Sequence, residues 1–421
     1  MSKRFAPSAV VAVAAIVALS ACGSGSGSGG GADGNPTSAS GTIRVLVPSY
    51  PASNEGKAAL QKVIDAFHKT YPNVKVEPDF ATFATLNEKI STSIASGQGY
   101  DVYVTGIGWI PPFASKGVFK DLGEFGVTND NLNKGAAPAL SAAEYNGKIY
   151  AVPLIFGPKP MAYSKKAFAA AGLDPSKAPQ TWADLREDAI KLTKRDGGKL
   201  TQAGFDFWAP PTSYRQDFVT FLGALGQPLY KDGKPNFATP EGEKALNEMS
   251  SLINDDKVSD FGLASPDGQP LVFTGKAAMG VAGGYIDCAK VGQARCDDLT
   301  FFNLKEQDTA MFSGGQLASV GAQSQLPKAS YDFIKLLSSP EAASDIAKLN
   351  FGVPAVDGAD QLDVVKSNPA SAFAATQLDH MVFEGGSTNW LEVRNNFGAQ
   401  LDTVLLGKAD AATVLQGLAS K

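Results

Sequence analysis

Between Thr42 and Val104 the spacing of apolar positions changes period at regular intervals. Thr42–Val47 (TIRVLV) alternates and is rich in β-branched residues, which predicts a strand. Leu60, Val63, Ile64 and Phe67 then fall at i, i+3, i+4 and i+7, the spacing of a helix with one buried face. Residues 73–77 (NVKVE) predict a second strand, Leu86, Ile90 and Ile94 a second helix, and residues 100–104 (YDVYV) a third strand. Strand, helix, strand, helix, strand is the βαβ rhythm of a parallel sheet covered on both faces, so the fold class is α/β.

The middle of the chain is richer in helices. Thr181-Trp182-Ala183-Asp184 has the form of a capping box opening a helix through Leu192. Thr239 predicts an N-cap with Pro240 in the first turn, and Leu246, Met249 and Ile253 line one face of the helix that follows. Ser339 and Pro340 repeat the device, and the chain from Trp390 onward predicts two helices, the second capped by Asp410. No internal repeat is present.

The N-terminus departs from this pattern. After Lys3 and Arg4, Ala9–Leu19 is uninterrupted and apolar, yet a membrane span needs ~20 such residues, so the segment predicts a secretory signal over residues 1–21. Leu19-Ser20-Ala21-Cys22 resembles the bacterial lipobox, in which cleavage precedes the Cys and its sulfur is acylated. Residues 22–41 that follow are dominated by Gly and Ser and predict a flexible tether with a reach of roughly 25 Å. The expected location is therefore extracytoplasmic, with the lipid on Cys22 as the only membrane contact.

Loss of Lys3 and Arg4 with the signal leaves 35 of the 37 basic residues against 42 acids, a formal charge of −7 that argues against nucleic acid or anionic lipid as partner. About 380 mature residues suit two domains or one two-lobed unit. In an oxidising compartment Cys288 and Cys296 are expected to pair, closing a short loop that contributes roughly 2.5 kcal/mol on the chain-entropy model. A metal site is the rival, but His68 and His380, the only histidines, lie far from the cysteines in sequence, and neither a metal nor another cofactor is expected.

Three blocks resemble the extracellular solute-binding proteins of carbohydrate ABC importers, the group that includes the maltose-binding proteins. Tyr145–Leu185 is similar to the family's G-K-x-Y-x-V-P … A-G-L-D … T-W-x-E-L, Phe273–Tyr285 to its F-x-x-G-K-A-A-M … G-x-W, and Ser313–Val356 to its G-G … S-P-E-x-Q … G-x-x-P. The resemblance implies a two-lobed clamp with the ligand cleft between the lobes and several hinge crossings. Residues 42–153 plus 305–350 would form one lobe and 154–304 plus 351–421 the other, with crossings near Val152–Phe156, Leu299–Leu304 and Phe351–Val356. It also implies a monomer that delivers a mono- or oligosaccharide to permease subunits. Glycerol phosphate or a polyamine is the alternative ligand.

A sugar offers C–H faces to flat aromatics and a rim of hydroxyls to polar groups. Of the four tryptophans, Trp182 belongs to the capped helix and to packing. Trp109 follows the third strand on a Gly-rich loop, where Pro111-Pro112 is expected to block an immediate helix, and is a candidate for either cleft or core. Trp208 and Tyr214 lie in an aromatic, Pro-broken stretch with Asp206 and Arg215 nearby and are candidates for a cleft wall. Tyr285 follows Gly283-Gly284 where the family commonly has Trp; it keeps a stacking face, and the glycines would let a ligand approach the backbone. By resemblance Trp390 is a further stacking candidate, and Gly314 and Gly315 offer backbone contacts. No P-loop, G-x-S-x-G or H-E-x-x-H occurs, so an enzyme is not expected; a secreted glycosidase using paired carboxylates is the remaining catalytic alternative.

Overall fold

The computed structural model describes residues 35–132, 134–208, 214–260, 265 and 268–421. The expected signal, Cys22 and most of the tether lie outside the described residues. No described helix is long and apolar enough to cross a membrane.

The opening βαβαβ rhythm builds three strands of an eight-stranded sheet. Strands Ser40–Leu46, Asn73–Asp79 and Val102–Gly106 run parallel, joined by helices Asn54–His68 and Phe83–Ala95. The rest of the sheet comes from far along the chain: Thr309–Val320 pairs antiparallel with Val102–Gly106 on one edge and with Val152–Lys159 on the other. Val353–Pro354 extends the Val152–Lys159 edge, and Met381–Val382 pairs with the first residues of the long strand. One sheet face is covered by Leu60, Val63, Phe67, Phe333 and Ile346, the other by Leu86, Ile90, Trp109, Phe113 and Phe156.

A second, five-stranded sheet contains Met161–Ser164, Lys199–Asp206, Ala277–Val281 and Leu299–Phe302. Its aromatic core joins Tyr163, Phe168, Trp182, Phe205, Phe221, Phe237, Trp390 and Phe397. The helices that pack there start where the sequence places them, because short side chains accept the otherwise orphaned first-turn N–H groups. Thr181 and Asp184 close a capping box, and Thr239 and Asp410 accept from Gly242 and Thr413.

The two sheets make a two-lobed molecule. The Val152–Lys159 strand, which carries the expected first crossing, stays in the first sheet throughout; the chain changes sheets at Pro160. It returns between Phe302 and Leu304. Val353–Pro354 also stays with the first sheet, Val365 and Ala374 pack in the first lobe, and the last passage lies between Val382 and Trp390. Cys288 and Cys296 are bonded, with Cα atoms 5.7 Å apart.

Candidate functional site

Two parallel strands of the second sheet, Lys199–Asp206 and Ala277–Val281, deliver residues from their carboxyl ends to the space beside the Pro160 crossing. Open α/β sheets place ligands outside these ends. Trp208 follows the first strand and Gly283, Gly284 and Tyr285 the second. The first lobe supplies Gly157, Pro158 and Lys159, together with Asn350 and Phe351 at the end of helix Pro340–Asn350. Together they enclose a cavity of about 480 Å³, within the usual range for small-molecule sites.

Each wall is held by specific bonds. Trp208 adopts a left-handed backbone (φ 44°), its N–H donates to Asp206 Oδ2 (3.0 Å), and its indole N–H donates to the Gly268 carbonyl (2.7 Å). The Lys159 ammonium stands 4.3 Å from the centre of the indole. The Tyr285 loop is fastened by helix Pro369–Ala375 and its cap: Ser371 Oγ donates to the Gly284 carbonyl (2.6 Å), and Asn368 bonds both the N–H and the carbonyl of Ile286 (3.2 and 2.7 Å). Tyr285 packs on Phe351 with ring centres 5.0 Å apart.

Phe351 is the residue that the sequence reading missed. It caps its helix in the left-handed region (φ 57°, ψ 41°), and its side chain is 60% exposed. Such a backbone costs a non-glycine residue ~1–2 kcal/mol, so the position is one that glycine would ordinarily fill. Asn350 holds the position by donating to the Ser49 and Ile346 carbonyls (2.8 and 2.7 Å) and accepting from Gln316 (3.0 Å). The only prior sign of Phe351 was an aromatic directly before Gly352, where a helix ends.

Most of the other candidates lie elsewhere. Trp390 is fully buried against Tyr230 and Phe397. Trp109 is buried against Phe83 and Phe113, and it precedes a short helix, Ile110–Ala114, that the prolines start rather than block; in a first turn their missing N–H groups have no helical partner to lose. Tyr214 is buried beside Phe207. Gly315 is required by strand packing, since a Cβ there would stand 2.6 Å from the Ile155 carbonyl. Gly284 does line the cavity, but its missing side chain makes room for Pro158, not for a ligand: a Cβ would meet Pro158 Cγ at 2.7 Å.

Asp206 sits behind the wall. Burial raises its carboxyl pKa to about 6, against the opposing hydrogen bonds from the Trp208 N–H and Ser259. Its role in the geometry is to position Trp208. Deeper still, Arg215 and Arg394 bond the two oxygens of Glu384 (2.6 and 3.1 Å). Burial pushes Asp217 well above the usual carboxylate range, opposed by Lys159, and burial lowers the Lys159 ammonium despite the attraction of Asp217 and Glu384.

A second cavity of about 450 Å³ opens beside Met381–Val382, lined also by Gly108, Pro111 and Tyr230. Met381–Val382 and Val152–Lys159 pair with opposite edges of the long strand at Phe312, so the two cavities flank it. The second holds none of Trp208, Tyr285 and Phe351, and of its three carboxylates, Asp308, Asp379 and Glu384, the last is already paired with two arginines.

Comparison with known proteins agrees with this architecture. A diacetylchitobiose-binding protein of Streptomyces coelicolor is 25% identical over 441 residues, covering 99% of this chain and 97% of its own. Binding proteins of Brucella abortus are 27% identical over 244 residues, so that this chain spans only 57% of their length. Among solved structures, the cyclic α-maltosyl-1,6-maltose-binding protein of Arthrobacter globiformis superposes with a TM-score of 0.71 at 18% identity, covering 91% of this chain and 98% of that one. An ABC substrate-binding protein of Listeria monocytogenes in complex with cycloalternan gives 0.68 at 22%, with the same coverage. The sequence profile of the bacterial extracellular solute-binding proteins matches residues 50–344, well over half of the chain, which thus belongs to that family.

Proposed function

We propose that this protein is the substrate-binding component of an ABC importer, taking up a mono- or oligosaccharide between its lobes and presenting it to the permease. The observation that carries the reading is the cavity at the Pro160 crossing, where Trp208, Tyr285 and Phe351 offer ring faces from both lobes and Lys159, Asp287 and Gln269 offer polar groups. Flat rings beside hydroxyl-bonding groups suit a pyranose, and the names of the Streptomyces and Arthrobacter relatives are those of saccharide binders. The chain works as a monomer, anchored by an acylated Cys22 after removal of residues 1–21. It leaves its ligand chemically unchanged.

A thermal-shift screen of the mature chain against a carbohydrate panel, with sn-glycerol 3-phosphate and spermidine alongside, tests this. A ligand at 100 times Kd adds about 2.7 kcal/mol of stability. Hits confined to sugars, recovered intact after incubation, are expected. Stabilisation by the phosphate or the polyamine alone would overturn the saccharide assignment, and a cleaved sugar would overturn the non-enzymatic one.

A further inference from the structure

The charge arrangement of the cavity narrows the class of ligand. Lys159 ends its strand at the crossing, where its ammonium faces Trp208 and forms no ion pair with a described carboxylate. The acidic groups that act on it are Asp217 and Glu384. Glu384 is committed on both oxygens, to Arg215 and to Arg394. Asp217 is 2% exposed, with Oδ2 unbonded and no ion pair to Lys159. Arg215 adds positive charge to the same region. The cation at the cavity floor therefore lacks a committed counter-ion, and a buried charge without one is costly.

We propose that the ligand is an acidic saccharide whose carboxylate is received by Lys159 while its ring lies against Trp208, Tyr285 and Phe351. This rests on the saccharide-binding reading above. Lys290 and Asp287 also line the cavity, but Asp287 Oδ1 is engaged by the Ala289 and Lys290 N–H groups (3.1 Å each), so the ammonium set against the aromatic faces is that of Lys159, and it matches one carboxylate on a pyranose. A phosphate ester carries more charge and fits clustered cations better.

The test is calorimetric titration of the mature chain with matched pairs, glucuronate against glucose and α-1,4-digalacturonate against α-1,4-galactobiose, with glucose 6-phosphate as a separate arm. Within at least one pair the acid should bind about 10- to 100-fold more tightly than its neutral partner, the size of a charge-assisted hydrogen bond. That preference should shrink as salt rises from 50 to 500 mM. Lys159→Gln should bring the acid-to-neutral ratio towards one, and Lys159→Arg should retain it. If Lys159→Gln does not fold, the salt dependence in wild type and the ratio in Lys159→Arg decide. Neutral sugars binding as well as or better than acids would overturn the proposal and leave the saccharide reading standing. Tight binding of glucose 6-phosphate alone would replace the carboxylate by a phosphate. No binding by any sugar in this set or in the wider panel would remove both readings.

Discussion

Replacing Phe351 by Gly separates a ligand platform from a packing residue. About two-fifths of the side chain is buried; for a ring of roughly 200 Å² that is ~80 Å², or about 2 kcal/mol at 25 cal/mol/Å². Glycine removes the left-handed penalty of ~1–2 kcal/mol but adds up to ~1 kcal/mol of unfolded-chain entropy. The net change in stability should be a loss of about 0–2 kcal/mol, whereas truncating a buried core Phe costs about 3–5 kcal/mol. Binding should suffer more: losing a stacking face and its apolar contact removes on the order of 1–3 kcal/mol, about 5- to 150-fold in Kd. Phe351→Ala removes the same ring but keeps a Cβ in the left-handed region, so it should bind as weakly as Phe351→Gly and melt earlier. Urea melts of ligand-free protein and calorimetry with the sugar from the screen give both numbers. An unchanged Kd, or a stability loss of core size in the glycine variant, would refute the reasoning.

Trp390→Ala should cost about 3–5 kcal/mol in a urea melt, because it empties a fully buried site among Tyr230 and Phe397. Asp206 is an acid whose folded pKa is raised, so its contribution is greatest at low pH and is lost as pH rises from the ordinary carboxylate range through about 6. Wild-type stability relative to Asp206→Asn should accordingly fall by roughly 2–3 kcal/mol between pH 4 and pH 7, measured by paired melts. Thiol titration of the denatured, unreduced chain lacking Cys22 should find no free sulfhydryl, and the Cys288→Ser, Cys296→Ser double variant should lose roughly 2.5 kcal/mol. Cys22→Ser should abolish lipid labelling and release the protein into the medium, as seen by fractionation.

What the sequence disclosed was local, and what it concealed depended on distant neighbours. The caps at Thr181, Thr239, Ser339 and Asp410 are written within four residues each, so their helices begin as expected. Trp208, Gly284 and Tyr285 meet in one cavity. Trp390 was misjudged although Val393, Phe397, Leu401 and Val404 continue its spacing down one helical face; that periodicity marked it as core. Phe351 depends on a backbone angle, and Lys159 on a cavity assembled from residues near 208, 284 and 351. In one dimension the first leaves only an aromatic before a glycine at a helix end, and the second leaves no mark.

The long strand Thr309–Val320 also sets the order in which the molecule can become complete. Val102 must wait for Val320, and Gly157 for Gly314. A chain threaded across a membrane from its N-terminus therefore carries its first three parallel strands with an unpaired edge until more than half of the sequence has followed. Such distant pairings fold slowly, and open edges invite association with other chains. The lobe that begins first is completed late. Export would consequently favour factors that shield the early strands, and a chain cut before Thr309 would leave the N-terminal lobe with the same open edge.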